Sequence, residues 1–499
     1  MSREWRLKIA IISPYRTVAP HFETELELAQ NHLDVGDEVQ LIACLGELPC
    51  CDFNQAHSQR RCSNCVGRRE HGVDLLNPQL PVRSIDRLGP FEMKPALWRF
   101  TSLDELVNFR VQDFDIGFAV LSSLVSITRE SEPDLLEHSK LLNRLMQSAW
   151  ITFQATTHLL NREKIDRVYV FNGRFASMRA VLRACQQHGA DCYLHERGCD
   201  IRHYDLYQNV LPHDPEYIES QIRQLWDAGN GHSPSEKARV GATWFCDRRQ
   251  RVERNWKSFV KHQRKNQLPD GFNRHKFNIG LFTSSDDEFV AIGDAWKQPI
   301  YRSQLDGVRQ IAHEFNRLSD DYRLYIRLHP NQSSCNTRQL GALLGLASHR
   351  VTVIGPDEPV DSYALLDEVD NVVSFGSSMG IEAVYWRKPS ILLGPCFYRE
   401  LGGTYRPKDH VQAIQMMTRR QSAGDATGAL MYGYWFQTHG IAFKYFEATD
   451  LFEGRFKGEV VHARNNRKLS RRIAFKLNTI SNSVQRLARN FQNRFLRAG

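Results

Sequence analysis

Short apolar runs alternate with helix-like segments along most of this chain, and this alternation limits its fold more than any other feature. Near the start, predicted strands at 8–14 and 39–44 flank a helix-like segment at 23–33. A later unit at 167–195 repeats the order strand, helix, strand, with Gly189 ending the helix. Strands that alternate with helices at this spacing favour a parallel sheet covered by helices on both faces.

The alternation is interrupted by a strongly basic stretch at 236–276 and then restarts. The strands predicted for the second block lie at 277–283, 323–328, 351–354, 371–375 and 390–393. A chain of 499 residues can hold two domains of about 200 residues each. We therefore predict an α/β protein with two Rossmann-like, doubly wound domains that face a cleft. The predicted units are a first domain at 1–235, a basic helical connector at 236–276, a second domain at 277–450 and a tail at 451–499.

The positive charge of the chain is concentrated in its tail. The formal net charge is +8, and residues 455–499 alone carry twelve Lys or Arg against one acid. Because the rest is slightly acidic, the charge argues against a nucleic-acid partner. Apolar residues recur in the tail at spacings of three and four, which predicts a basic amphipathic C-terminal helix. Such a helix can lie on an anionic inner-membrane surface, dock on the body or pair with another protein.

Hydropathy predicts a cytoplasmic protein. No window approaches the ~18 consecutive apolar residues of a membrane-spanning helix. The apolar run at 9–12 is short and is followed at once by Ser13-Pro14, which suits a buried strand better than a signal peptide.

Two motifs follow predicted strands of the second block. His329-Pro330 ends one strand, where a cationic or hydrogen-donating imidazole can hold a phosphate oxygen of a leaving nucleotide. Ser377 and Ser378 follow another strand in a Gly-Ser-Ser turn that suits an anion. Glu382 lies one turn further on, where a carboxylate can accept bonds from ribose hydroxyls. The alternatives are a histidine bonded to backbone and serines that cap a helix.

Further residues belong to the same pattern: the stretch 282–289 with Ser284 and Ser285, then Trp296 and Gln304. Together with the His-Pro and Ser-Ser motifs, they resemble the capsule and surface polysaccharide biosynthesis glycosyltransferases, relatives of the bacterial Kdo, sialyl and polysialyl transferases. The segments 171–174 and 195–198 resemble the N-terminal part of that family.

The resemblance implies a GT-B fold and transfer of a sugar from a nucleotide-sugar, with a CMP-sugar favoured, to a growing bacterial capsule or surface polysaccharide. It implies donor contacts from His329, Pro330, Ser377, Ser378, Glu382, Ser284 and Ser285. GT-B transfer needs no bound metal, because side chains and helix ends stabilise the departing phosphate. The Asp-x-Asp at Asp113 and Asp115 has no nucleotide site around it, so we expect no metal role there.

Transfer to a hydroxyl also requires a general base close to the acceptor. Candidates are His21 and Glu23 after the first strand, and Glu196 after the strand that ends at His195. Candidate acceptor or donor contacts at the same strand ends are Asn172, Arg174 and Arg197. A structural pairing of Glu196 with a neighbouring arginine is the alternative.

Cysteines cluster after the second predicted strand. Cys44, Cys51, Cys62 and Cys65 offer one Cys-x-x-Cys and two further thiols, enough for a structural zinc site. Free thiols are the alternative, because zinc ribbons and fingers show two paired motifs.

Two other functions share much of this pattern. A CDP-glycerol-type glycerophosphotransferase has the same fold and the same CMP leaving group. A non-catalytic sugar-binding or assembly factor of the same pathway would bind donor without turning it over.

Overall fold

The computed structural model describes residues 6–15, 18–91, 97–254, 257–333, 335 and 337–462. The predicted amphipathic tail helix lies outside these residues. The strands are β1 (Lys8–Ser13), β2 (Glu38–Ala43), β3 (Val82–Ser84), β4 (Arg167–Phe171), β5 (Asp191–Arg197), β6 (His203–Gln208), β7 (Phe277–Phe282), β8 (Tyr322–Arg327), β9 (Val351–Ile354), β10 (Asn371–Ser374), β11 (Ser390–Leu392), β12 (Ile441–Ala442), β13 (Phe446–Ala448) and β14 (Gly454–Phe456).

The helices are α1 (His21–Asp34), α2 (Gln59–Asp74), α3 (Leu103–Asn108), α4 (Ile116–Thr128), α5 (Ser139–Arg162), α6 (Ala176–His188), α7 (Pro215–Ala228), α8 (Pro234–Arg249), α9 (Asp286–Phe289), α10 (Gln304–Phe315), α11 (Arg338–Leu344), α12 (Ser362–Glu368), α13 (Met379–Tyr385), α14 (His410–Met417) and α15 (Thr427–Thr438). None of these helices is long and apolar enough to cross a membrane.

The first sheet has the order β12-β6-β5-β4-β1-β2-β3. Strands β1 to β5 run parallel, whereas β6 and β12 add antiparallel pairings at one edge. The chain builds β2 and β3 on one side of β1 and then crosses to β4 on the other side. The strand order therefore reverses between β1 and β4, as in a doubly wound fold.

The second sheet has the order β11-β10-β7-β8-β9, with every strand parallel to its neighbours. Its order reverses between β7 and β10. In both sheets the central strands are continuous apolar runs; Ile9 to Ile12 in β1, for example, are at most 1% exposed. Such runs are expected where helices cover both faces of a parallel sheet. The predicted fold of two doubly wound α/β units is confirmed.

The connector contains one helix followed by irregular chain. Helix α8 begins at Pro234 because Ser233 and Glu236 form a capping box in front of it. It ends at Arg249, and Arg251 adopts a positive φ of 65°. The Arg251 guanidinium donates to the carbonyl of Gln263 (2.8 Å), so the chain folds back on itself where the sequence analysis expected further helix.

After the second sheet, the chain returns to the first. Helix α15 packs against α8 and α7, and β12 then pairs with β6 in the first sheet. The buried carboxylate of Glu27 in α1 accepts bonds from the backbone N–H groups of Lys444, Tyr445 and Phe446. Residues 441–446, which the sequence analysis assigned to the second domain, thus contact the first one.

Candidate functional site

A cavity of about 290 Å³ opens at the carboxyl ends of β7, β8 and β10. The cavity adjoins the point where the strand order of the second sheet reverses, which is where doubly wound sheets bind ligands. Aromatic side chains supply much of its wall: Trp244, Phe259, Phe289, Trp296, Phe397 and Phe436. Six of the seven predicted donor contacts line it: Ser284, Ser285, His329, Pro330, Ser377 and Ser378.

His329 is fixed at the end of β8 by two hydrogen bonds. Its backbone N–H donates to Oγ1 of Thr283 (3.0 Å), and its Nδ1 accepts from the backbone N–H of Asn331 (3.1 Å). Burial, aided by the nearby Arg248, lowers the pKa of His329 from 6.5 to about 3. The imidazole is therefore neutral at pH 7. Because Nδ1 accepts, the ring proton is on Nε2, and the side chain is a hydrogen-bond donor rather than a cation.

The serines after β7 and β10 differ in how firmly their hydroxyls are engaged. Ser284 donates to the carbonyl of Phe375 (3.2 Å), and Ser285 donates to Asp287 (2.6 Å). Within the part of the chain that the structure describes, the hydroxyl of Ser377 accepts a single, long bond, from the N–H of Met379 (3.4 Å). Ser377 is thus the hydroxyl of this group with the most hydrogen-bonding capacity left for a ligand.

The turn in front of Ser377 requires glycine. Gly376 has a φ of +104°, and a Cβ at this position would lie 2.3 Å from the carbonyl oxygen of Pro395. A larger residue would displace the turn, because a backbone carbonyl cannot move away as a side chain can.

Glu382, the seventh predicted donor contact, lies behind the cavity wall. Its carboxylate is fully buried and accepts bonds from Arg248 Nε (3.0 Å), the Tyr363 hydroxyl (2.5 Å) and the Ser378 hydroxyl (2.9 Å). In turn, Arg248 donates to Ser378 (2.9 Å). In this structure Glu382 positions Arg248 and Ser378, and its contact with ribose stays a prediction.

Basic residues of the connector also line the cavity, a feature that the sequence analysis did not include in the site. Arg248 lies near the end of α8, and Arg254 and Lys257 follow in the irregular chain. Arg254 is paired with Asp247 (2.6 Å). The basic composition of the connector is the sequence feature that could have indicated this contact. It does not indicate it by itself, because the connector is far along the chain from the His-Pro and Ser-Ser motifs.

The loop after β7 is clamped by arginines of the first domain. Arg174 donates to the carbonyls of Asp287 (3.2 Å) and Glu288, and Arg129 pairs with the Asp287 carboxylate (2.6 Å). Arg174 is buried, and its backbone N–H donates to Oδ1 of Asn172 (3.3 Å), so it links the two strand-end regions. Arg174, a predicted acceptor or donor contact, therefore contacts protein from the second domain.

The remaining candidates of the first domain form a compact polar cluster, with one exception. Glu196 accepts from Asn172 Nδ2 (2.7 Å) and from the N–H of Arg197 (3.0 Å), and His21 Nδ1 lies 3.6 Å from it. We call these four residues the first-domain cluster. The exception is Glu23, which is buried in an ion pair with Arg68.

Residues 272–432 match the sequence profile of a family described as "Capsule polysaccharide biosynthesis protein". The match covers about a third of the chain, and we call residues 272–432 the capsule-synthesis domain after the family they resemble. It contains the whole second sheet and extends into α15. The cavity-lining motifs after β7, β8 and β10 all belong to this capsule-synthesis domain.

Solved structures with some likeness to the chain include two transferases and a protein solved with UDP. The β-Kdo 2,4 transferase of Thermosulfurimonas dismutans KpsC has 15% identity and a TM-score of 0.37 over 60% of this chain and 85% of that one. MnaA of S. aureus, solved with UDP, has 10% identity and a TM-score of 0.27 over 85% and 94%. The glycosyltransferase SnogD of Streptomyces nogalater has 11% identity and a TM-score of 0.23 over 87% and 95%. No curated protein matches. The name of the capsule-synthesis domain rests on the family match alone.

The clustered cysteines lie outside the capsule-synthesis domain. Cys44, Cys50, Cys51, Cys62 and Cys65 line a second cavity of about 260 Å³. Any four of these five thiols would match the ligand number and type of a structural zinc site. Within the described ranges, however, the one group of three or more metal-type residues whose ligand atoms lie within 4.8 Å of one another is Cys199, Asp200 and His203. There Asp200 is already paired with Arg202 (2.6 Å).

The structural zinc stays a prediction. Its test is the zinc content of the purified protein, measured together with the melting temperature of Cys62→Ser. Bound zinc that is lost in the variant, with a lower melting temperature, would support the site. No zinc and an unchanged melting temperature would mean free thiols.

Asp115 of the Asp-x-Asp pair has a structural role. It directly precedes the first residue of α4 and pairs with Arg179 (2.8 Å) and Arg183 (2.7 Å) of α6. Their positive charge overcomes the cost of burial and holds the pKa of this carboxyl well below its usual range. Its acceptor oxygens are thus engaged by arginine.

Proposed function

We propose that this protein is a glycosyltransferase that moves a sugar from a nucleotide-sugar donor to a growing bacterial capsule or surface polysaccharide, and that the donor is a CMP-sugar. The observation that carries the proposal is the convergence of His329 and the serines after β7 and β10 on one cavity of a capsule-synthesis domain. The choice of CMP follows from the sequence resemblance to Kdo and sialyl transferases.

The chemistry needed from the cavity is stabilisation of a departing phosphate. The Nε2–H of His329 and the hydroxyl of Ser377 are neutral donors fixed at the ends of β8 and β10. Arg248, Arg254 and Lys257 add positive charge on the connector side. Donors and charges that are fixed before the reaction stabilise the growing negative charge without reorganisation. On this proposal, transfer requires no bound metal.

The test is a thermal-shift titration of the full chain with CMP, CDP, UDP and GDP. A ligand present at 100 times its Kd stabilises the folded state by about 2.7 kcal/mol. His329→Ala should weaken binding of the preferred nucleotide by about 10- to 100-fold, because a hydrogen bond to a charged group contributes about 1.5–3 kcal/mol. His313→Ala, on the exposed face of α10, is the matched control and should bind like the wild type.

The outcomes separate the competing functions. Stabilisation by a nucleotide that His329→Ala loses, together with turnover of the matching nucleotide-sugar, supports the proposal. Release of CMP from CDP-glycerol and not from a CMP-sugar would indicate the glycerophosphotransferase. Binding without turnover of any donor would indicate a non-catalytic factor.

We also propose that the basic tail holds the enzyme on the inner-membrane surface, which suits an acceptor anchored in lipid. The proposal rests on the sequence pattern of residues 467–499. Co-sedimentation with anionic liposomes, compared between the full chain and a chain ending at Asn466, is the measurement. Equal co-sedimentation of the two would contradict a membrane role for the tail.

A further inference from the structure

Three consecutive acids open the loop after β7, and the structure gives them different surroundings. Asp286 accepts bonds from Gln304 (2.7 Å) and Gln339 (2.6 Å) inside the second domain. Asp287 pairs with Arg129 of the first domain. Glu288 is a wall residue of the donor cavity. A single turn of helix, α9, thus places one carboxyl group against the proposed donor and uses the other two to hold the loop.

The Glu288 carboxyl group is positioned through one oxygen and retains the other. Its Oε1 accepts a bond from Nδ2 of Asn331, the residue that directly follows His329-Pro330. Among the described residues, none donates a hydrogen bond to its Oε2. Asn331 also donates to His329 through its backbone N–H, so the same residue orients both side chains. The carboxyl group and the proposed phosphate ligand therefore have a fixed relative position.

The protonation of Glu288 depends on contacts between the two domains. Burial, and then the neighbouring charge of Asp287, raise the pKa of Glu288 from 4.5 to about 7. Arg129 and Arg174, both from the first domain, act in the opposite direction and lower this pKa. A carboxyl group that titrates near neutral pH is suited to accept and release a proton during turnover.

Other acids near the cavity are less available. Asp247, which also lines it, accepts from Arg254 (2.7 Å) and Gln437 (3.3 Å) through Oδ2 alone, but its carboxylate is ion-paired with Arg254 (2.6 Å), which offsets its negative charge. Both oxygens of Glu196 in the first-domain cluster already accept bonds. Glu196 is moreover outside the residues that line the cavity.

We propose that Glu288 is the general base of the reaction, a role that rests on the glycosyl transfer proposed above. The acceptor hydroxyl gives its proton to Glu288 Oε2 while its oxygen bonds to the anomeric carbon of the donor sugar. The bond between that carbon and the phosphate oxygen breaks, and its electron pair leaves with the nucleotide. Glu288 later releases the proton to solvent. This places the base on the second domain. The candidates predicted from the sequence, His21, Glu23 and Glu196, all lie on the first.

The experiment compares Glu288→Gln with Glu196→Gln and wild type in the full chain. The measured quantities are the Kd for CMP and the rate of CMP release from CMP-Kdo and CMP-sialic acid between pH 5.5 and 9. We expect Glu288→Gln to bind CMP within about threefold of wild type and to release it at least about 100-fold more slowly, the usual contribution of a general base. The wild-type rate should fall below an inflection near pH 7, and the variant should lack that inflection. Glu314→Gln, in the last turn of α10, is the matched control.

A second variant tests the electrostatic part of the proposal. Arg129→Met removes a positive neighbour of Glu288, so the inflection should move to higher pH; a merely structural role of Arg129 would lower the rate at all pH values alike.

Each outcome has one meaning. Wild-type turnover that Glu288→Gln preserves, or that Glu196→Gln alone abolishes, would overturn the role of Glu288 and leave the glycosyl transfer standing. Failure of the wild-type chain to bind or turn over any nucleotide-sugar would overturn the proposed function itself. Loss of CMP binding in Glu288→Gln would make the residue a ligand contact and not a base.

Discussion

The two domains carry polar residues at equivalent strand ends but use them differently. In the capsule-synthesis domain, His329 and Ser377 line an open cavity. The ring N–H of His329 and the hydroxyl of Ser377 retain hydrogen-bonding capacity there. In the first-domain cluster, the oxygens of Glu196 are bonded to neighbours, and the ring of His21 packs on Phe171 with centroids 4.2 Å apart. Equivalent strand ends thus border an open cavity in one domain and form a mutually bonded group in the other.

The difference indicates a division of labour between the cavity of the second domain and the first-domain cluster. The cavity is supported by buried residues behind it, notably Glu382, so its donors are held before a ligand arrives. In the first-domain cluster the polar groups bond to one another, and Arg174 links Asn172 of this cluster to the loop that carries Glu288. On the proposed function, the second domain and its connector bind the donor, whereas the acceptor site depends on both domains.

The largest difference between the two regions should appear when their turn glycines are replaced. Gly376→Ala brings a Cβ against the Pro395 carbonyl, and with its positive φ the change should destabilise the fold by about 4 kcal/mol. Gly173→Ala, after β4, meets the side-chain tip of Leu194 at 2.6 Å, which can shift, so we expect about 2 kcal/mol. Urea unfolding measures both. Equal losses would mean that the turn after β10 is no more constrained than its counterpart.

Replacing one carboxylate in each region should separate stability from binding. Glu382→Gln leaves Arg248 without its buried partner and should cost about 2–3 kcal/mol, less than for a fully buried pair because the Arg248 side chain is 43% exposed. Arg248 lines the cavity, so the Kd for CMP should rise about tenfold. Glu196→Gln should cost less than about 1 kcal/mol and leave the Kd for CMP unchanged. A reversed order of the two effects would contradict the proposed division of labour.

A third prediction concerns the loss of folding stability at low pH. The folded-state pKa of His329, about 3, lies below its ordinary value of 6.5. Between these values the unfolded chain binds a proton that the folded chain does not. The stability contributed by neutral His329 is therefore fully present above pH 6.5 and is lost as the pH falls towards 3, by at most about 1.4 kcal/mol per pH unit.

The measurement is urea unfolding of wild type and His329→Asn between pH 7 and 5. The variant should lose less stability over this range. His21 of the first-domain cluster has its pKa lowered as well, by burial and then by Arg197, so His21→Asn should show the same sign. Parallel curves for wild type and His329→Asn would mean that the folded protein holds this imidazole in a more solvated state.

The fold and the meeting of the His-Pro and Ser-Ser motifs at one cavity could be predicted because their signals are local. A strand followed at once by His-Pro or Gly-Ser-Ser places those residues at one edge of a parallel sheet. The role of Arg248 could not be predicted in this way, because it reaches Glu382 across 134 positions of sequence. The different environments of Glu23 and Glu196 depend on α2 and β4, which approach them only in the folded chain. Local patterns predict where a strand ends; they do not predict which distant side chain arrives there.

The smallest effect on stability should come from Ser377→Ala, and it gives the sharpest test of the comparison. The Ser377 hydroxyl accepts one long bond, so its removal should change the free energy of unfolding by less than about 0.5 kcal/mol. If it contacts the donor phosphate, the Kd for CMP should still rise about three- to tenfold, the contribution of one hydrogen bond.

Ser122→Ala, which removes a buried α4 hydroxyl that bonds to no described residue, is the control from the first domain and should leave the Kd for CMP unchanged. A Kd unchanged in Ser377→Ala would place the phosphate elsewhere in the cavity, closest to His329 and the connector arginines. Donor recognition would then depend on charge more than on the turn after β10.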